Sequence, residues 1–128
     1  MELNLKHKYA LVCGSTQGIG KAAAFALAAE GAIITLVARN EAKLKDVIAS
    51  LPNADQHNYI IADFMNPLDL KSKVNAYIQN NHGFHILVNN TGGPRSGAII
   101  DASLEAFENA FTQHLKCTMY WHSSQFHL

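Results

Sequence analysis

Charge of a prevailing sign is missing from this 128-residue sequence, in which ten Lys and Arg stand against ten Asp and Glu. No basic stripe or acidic run offers an electrostatic footprint for nucleic acid or an anionic membrane, so neither is expected as a partner. Cysteine is scarce too. Cys13 and Cys117 make no disulfide framework, which fits a reducing compartment, and a cytoplasmic location is expected. Long apolar runs are absent: the longest, Ala22 to Ala29, is Ala-rich and far too short to span a bilayer. The first eight residues mix Lys6, His7 and Lys8 with Leu3 and Leu5 and lack the continuous apolar segment of a signal peptide. Metal-ligand spacing is missing as well. The seven histidines are scattered without paired carboxylates or cysteines, so they are expected at the surface and no metal site is expected.

What is present is the composition of an ordinary globular protein, 48% hydrophobic and 16% charged, at a length that fits one domain over residues 1–128. Short apolar runs alternate with helical patterns. Tyr9 to Cys13 reads as a strand buried on both faces and closed by Gly14. Ile19, Ala23, Ala26 and Leu27 then recur at helical spacing up to Gly31. Ala32 to Ala38 is β-branched and continuous, a second buried strand. Asn40 can cap a helix with Leu44, Val47, Ile48 and Leu51 on one face, broken at Pro52. Asn58 to Ala62 forms a third strand.

Asn66-Pro67-Leu68-Asp69 is a helix start, with Leu70, Val74, Tyr77 and Ile78 on the buried face and Gly83 as the stop. Ile86-Leu87-Val88 is a fourth strand, running into the glycine-rich loop Asn89 to Pro94. From Ser103, the residues Leu104, Phe107, Phe111 and Leu115 mark a last helix reaching Trp121, and a polar tail follows. Alternating strand and helix with short joins predicts a parallel sheet with right-handed crossovers, the doubly wound α/β arrangement.

Gly14-Ser15-Thr16-Gln17-Gly18-Ile19-Gly20 lies where the first strand feeds the first helix. Free N–H groups at a helix start, with the positive end of its dipole, favour a pyrophosphate there. Gly14 would allow the tight turn, Gly18 close approach of a ligand to backbone, and Gly20 close packing of helix on strand. Ser15, Thr16 and Gln17 are expected as side-chain donors at the rim. The spacing G-x-x-x-G-x-G is one residue longer between its first glycines than the general dinucleotide fingerprint. A merely glycine-rich turn is the plainer reading, and the strand–helix context favours binding over it.

These residues carry a resemblance. Cys13-Gly14-x-x-x-Gly18-Ile19-Gly20 resembles the T-G-x-x-x-G-I-G signature of the short-chain dehydrogenase/reductase family, with Cys13 where Thr is usual. Asn89-Asn90-Thr91-Gly92 is similar to the family's N-N-A-G, and the run Asn-Asn-Thr-Gly-Gly-Pro resembles its 3-oxoacyl-carrier-protein reductase-like members. The likeness runs from about Lys6 to Lys116 and implies a Rossmann-like fold, a nicotinamide cofactor and hydride transfer between carbonyls and alcohols. At the end of the second strand an acid would select NAD through the ribose hydroxyls. This chain has Ala38 and then Arg39, whose planar fork of donors suits a 2′-phosphate, so NADP(H) is the expected cofactor. The plainer alternative for Arg39 is a solvated strand end. Asp63 matches the family position that hydrogen-bonds the adenine, though an ordinary loop Asp reads the same way. Asn89 matches the family's strand-tying Asn; Asn90, Thr91 and Gly92 would line the cofactor wall.

The family's chemistry needs a Tyr-x-x-x-Lys pair, an upstream Ser and an Asn on the helix after the fourth strand. Four residues after Tyr9, Tyr59, Tyr77 and Tyr120 stand Cys13, Asp63, Asn81 and Ser124, and His114 occupies the position of the Asn. The expectation is therefore a chain truncated after the helix following the fourth strand, holding cofactor but not catalysing alone. A non-catalytic NADP-binding module and an inactive remnant are the alternatives. The fourth strand would then be an apolar edge open to pairing. A small carbonyl or alcohol is the expected substrate of a complete enzyme. The Phe107/Phe111 stripe is expected to be a core or subunit-contact face, and a homo-oligomer follows from the resemblance. Cys13, near a helix start, could be a reactive thiol or could fill a small slot at the strand end; Cys117 is expected to be buried packing.

Overall fold

A computed structural model describes residues 3–93 and 96–119. Pro94, Tyr120, Trp121 and Ser124, which enter the sequence reading above, lie outside the described residues, as do two of the seven histidines, His122 and His127.

Strand β1 (Tyr9–Cys13) forms where five apolar or aromatic residues end at Gly14, and four of the five are buried. It is followed by α1 (Gly18–Ala29), β2 (Ile33–Ala38), α2 (Glu41–Ser50), β3 (Asn58–Ile61), α3 (Pro67–Asn80), β4 (Ile86–Val88) and α4 (Leu104–Phe111). The last helix runs on through a five-residue π-helical turn, Thr112–Lys116. The sheet order is β3-β2-β1-β4, and every pairing is parallel. The predicted doubly wound fold is therefore the one observed.

Alternation along the strands sorts side chains to opposite faces. Ala10 and Val12 of β1 join Ile34, Leu36 and Ala38 of β2 against α1 and α2. Leu11, Cys13 and Val37 face the other way, against Leu70 and Val74 of α3 and Cys117. Thr35, buried on that second face, is satisfied by the Tyr77 hydroxyl at 3.2 Å. Helices thus cover both faces, as a parallel sheet requires.

The helix starts follow the sequence signals. Asn40 accepts from Lys43 N at 3.0 Å, and Asn66 accepts from Asp69 N at 3.2 Å, with Pro67 at the first helical position. Ser103 caps α4 by accepting from Ala106 N at 3.1 Å. Gly31 closes α1 with φ of 86°, a left-handed turn suited to glycine.

Three expectations need correction. In α1 the buried residues are Gly20, Ala24 and Ala28, while Ile19 is 79% exposed and Ala26 also faces outward. Small residues hold that face because the helix packs too closely on β1 for larger ones. In α4 the Phe107/Phe111 stripe, expected as core or as subunit contact, is not core, since Phe107 is 64% and Phe111 47% exposed, and only the second alternative stays open. Two histidines, finally, are more than surface residues. His85 Nδ1 accepts from Tyr9 N, and His57 Nδ1 accepts from Ile34 N, each at 3.0 Å. Each imidazole supplies the acceptor for a backbone donor near the amino end of a strand.

Candidate functional site

The chain adds β2 and β3 on one side of β1, then crosses back to place β4 on the other. Connections leaving β1 and β4 therefore diverge, and a crevice opens at the carboxyl ends of the two strands. A cleft of about 770 Å³ occupies that edge.

The loop after β1 is held from three sides. From β2, the Val37 carbonyl accepts from Gly14 N at 3.1 Å and from the Ser15 hydroxyl at 3.5 Å. From the loop after β4, Asn90 Nδ2 donates to Gly14 O at 3.2 Å and Cys13 O at 3.5 Å. From α1, Gly20 sits so close that a Cβ there would lie 2.3 Å from Gly14 O. Gly14 (φ 57°) and Gly18 (φ 56°) take left-handed conformations that other residues adopt only with strain. A Cβ on Gly18 would meet nothing within 4 Å, because that backbone borders the cleft.

The start of α1 differs from those of α2, α3 and α4. Its cap residue Gln17 makes no side-chain cap bond and its first turn carries no acid, whereas the other three have both a capping side chain and an acid. Among the described residues, no side-chain cap or first-turn acid compensates the positive end of the α1 dipole, which borders the cleft. Arg39 at the end of β2 and Lys43 in the first turn of α2 line the same cleft. Both are exposed, and neither joins an ion pair among the described residues.

Of the residues predicted from sequence, Gly14, Thr16, Gln17, Gly18, Ile19, Arg39, Asp63, Asn90, Thr91 and Gly92 converge on this cleft. Ser15 and Gly20 stand behind it. Ser15 is fully buried with its hydroxyl turned toward β2, so its side chain is not the rim donor expected. Asp63 borders the cleft while Oδ1 accepts from Met65 N at 2.9 Å, so it also shapes its own turn. Asn90 lines the cleft as expected and also ties the ends of β1 and β4, the role expected of Asn89, whose Nδ2 instead donates to Thr118 Oγ1 at 2.8 Å.

Cys13 is fully buried, and the reactive-thiol alternative is overturned. Burial raises its pKa far above the ordinary 9.0, Cys117 nearby adds to the rise, and the hydrogen bond from Asn90 only partly offsets it. Cys117 is buried as expected; its Sγ–H donates to Phe64 O at 2.8 Å, and burial, helped by the charge of Asp63, pushes its thiol up to about 11. No group of three or more His, Cys, Asp or Glu able to hold a metal occurs among the described residues. No helix there is long and apolar enough to cross a membrane.

Sequence reasoning missed Lys43, Asn40, Phe64 and Gln113, which also line the cleft. Lys43 had a legible signal, standing four residues after Arg39 across a strand–helix corner. Gln113 had none, because it enters through the π-helical turn, which shifts the facing of side chains without a local sequence signature.

Comparison with known proteins agrees with this geometry. Residues 8–125 match the family model described as short chain dehydrogenase. An uncharacterized oxidoreductase of Staphylococcus epidermidis is 30% identical over 116 residues, covering 91% of this chain and 50% of that protein. The crystal structure of L-sorbose reductase from Gluconobacter frateurii, complexed with NADPH and L-sorbose, is 27% identical with a TM-score of 0.87, covering 98% of this chain and 48% of that one. A short chain dehydrogenase from Burkholderia cenocepacia in complex with NADP is 27% identical with a TM-score of 0.83, covering 94% of this chain and 50% of that one. The chain spans about half the length of the curated relatives it matches.

Proposed function

Because the chain belongs to the short-chain dehydrogenase family, we propose that its cleft binds NADP(H) and that residues 1–128 are the cofactor-holding unit of an oxidoreductase. The observation that carries the reading is the preorganised loop after β1. Its backbone conformation is fixed by Val37, Asn90 and Gly20 without help from a ligand, and it presents an uncompensated helix start to the cleft.

The residues fit the group on grounds internal to this chain. Gly18 leaves open the space through which a pyrophosphate would approach backbone amides. Arg39 and Lys43 place two cations at the corner where an adenosine 2′-phosphate would sit, and no acid occupies the end of β2 to bind the ribose hydroxyls of NAD. Asp63 would face the adenine, and Asn90, Thr91 and Gly92 would form the wall toward the nicotinamide ribose. When bound, the cofactor supplies a hydride for reduction of a small carbonyl or accepts one from an alcohol. This chain's own residues bind and orient it; the proton-transferring Tyr-x-x-x-Lys pair of the family belongs to no Tyr in the sequence. The exposed Phe107/Phe111 face, in a cytoplasmic protein, would meet another subunit of a homo-oligomer.

Titration with NADPH, followed by nicotinamide fluorescence, tests the reading. Saturable binding in the micromolar range with weaker NADH binding is expected, and no binding at roughly millimolar cofactor would overturn it.

A further inference from the structure

The loop after β4 alternates its side chains between two partners. Asn90 reaches back to the glycine loop. Its neighbours Asn89 and Thr91 reach the other way, to the last helix. Asn89 Nδ2 donates to Thr118 Oγ1 at 2.8 Å, and Thr118 Oγ1 donates to the His114 carbonyl at 2.7 Å. The Thr91 hydroxyl is hydrogen-bonded directly to His114 Nδ1. His114 lies in the middle of the π-helical turn Thr112–Lys116, and its Nε2 is buried without a hydrogen-bond partner among the described residues.

Thr91 stands where N-N-A-G has Ala, in the Asn-Asn-Thr-Gly-Gly-Pro run noted above, His114 stands where the following helix of the family has Asn, and the two side chains touch. A π turn costs a helix regular hydrogen bonding and persists where the displaced side chain gains a specific contact. Here that contact is Thr91, which lines the cleft.

We propose that His114 is a positioning residue for the cofactor cleft: through Nδ1 it pins the Thr91 hydroxyl and so sets the loop that forms the cleft wall. The proposal rests on the cofactor reading above, yet the pin is a property of the chain itself. The pinned atom is Nδ1, so Asn at position 114 offers a polar atom at the same distance from the main chain, whereas Gln places its amide where Nε2 lies and leaves Thr91 unmatched.

The test compares His114→Asn, His114→Gln, His114→Leu and Thr91→Val in the full chain. Two readouts are taken, NADPH affinity and hydrogen exchange of the amides at 89–93. His114→Asn should stay within about threefold of the parent affinity, while His114→Gln, His114→Leu and Thr91→Val should each lose about tenfold. The double variant His114→Leu/Thr91→Val should be no worse than either single, because one bond is removed once. Exchange at 89–93 should quicken in the Gln, Leu and Val variants with or without cofactor. Equal exchange in parent and His114→Leu, additive losses in the double variant, or failure of Asn to rescue would overturn the pin. If the parent bound no NADPH, the cofactor reading would fall alone, and exchange would still decide the role of His114.

Discussion

Substituting two glycines of the loop after β1 should separate fold from ligand binding. In Gly20→Ala the new methyl would lie 2.3 Å from Gly14 O and 2.9 Å from Asn90 Nδ2. Backbone cannot swing aside as a side chain can, so α1 must move off β1 by about an ångström. Overpacking of this kind costs about 1–3 kcal/mol, and contact with main chain places it at the upper end. For a chain of this size that lowers Tm by roughly 10 °C. In Gly18→Ala the methyl meets nothing, and only the left-handed φ of 56° is penalised, at about 1–2 kcal/mol. That variant should melt only about 5 °C below the parent, yet lose at least about tenfold in NADPH affinity, since its methyl would stand where the proposed pyrophosphate approaches. Thermal melts by circular dichroism and NADPH titration give both numbers. Equal destabilisation by the two substitutions, or unchanged affinity in Gly18→Ala, would refute the assignment of packing to one glycine and access to the other.

Arg39→Asp should weaken NADPH by about tenfold to a hundredfold and NADH far less, because a charged hydrogen bond to phosphate is worth about 1.5–3 kcal/mol; equal losses in titration would show that Arg39 reads no phosphate. Asn66→Ala removes the acceptor for Asp69 N and should cost about 1 kcal/mol in urea unfolding, with no change in cofactor affinity. Neither Cys13 nor Cys117 should react with a thiol reagent at mildly alkaline pH until the chain unfolds, and fast labelling of the native chain would contradict their burial. Because burial raises the Cys117 thiol, its contribution to stability is complete below the ordinary value of 9.0 and drains as pH rises toward about 11. Cys117→Ala should therefore flatten the alkaline limb of the stability profile, and an unchanged limb would count against the assignment.

The elements were legible where one local signal dominated. β1 and β4 match their apolar runs residue for residue, and Asn40, Asn66 and Ser103 cap the helices they precede. What failed depended on distance rather than pattern. Ile19 fits a helical apolar stripe by spacing, but the close approach enforced by Gly20 and Ala24 turns it into the cleft. For Phe107 and Phe111 the choice between core and subunit contact stayed open, because a single sequence shows amphipathicity without showing what lies opposite the apolar face. In the site, the placement of the glycine loop and Arg39 at the cleft was readable from their positions at the ends of β1 and β2. That Asn90 rather than Asn89 ties the strands was not, since which of two adjacent side chains faces β1 depends on the phase in which β4 ends. Nor did any spacing join Thr91 to His114, 23 positions apart and brought together by the π turn.

The central claim is that main-chain amides between Gly14 and Gly20 receive the phosphates of NADP(H). Mapping backbone amide chemical shifts during NADPH titration tests it most directly. Saturable shifts concentrated at residues 14–20, with further changes at Arg39 and at 90–92, are the predicted result. Shifts centred elsewhere, or a titration leaving the amides of 14–20 untouched, would contradict it.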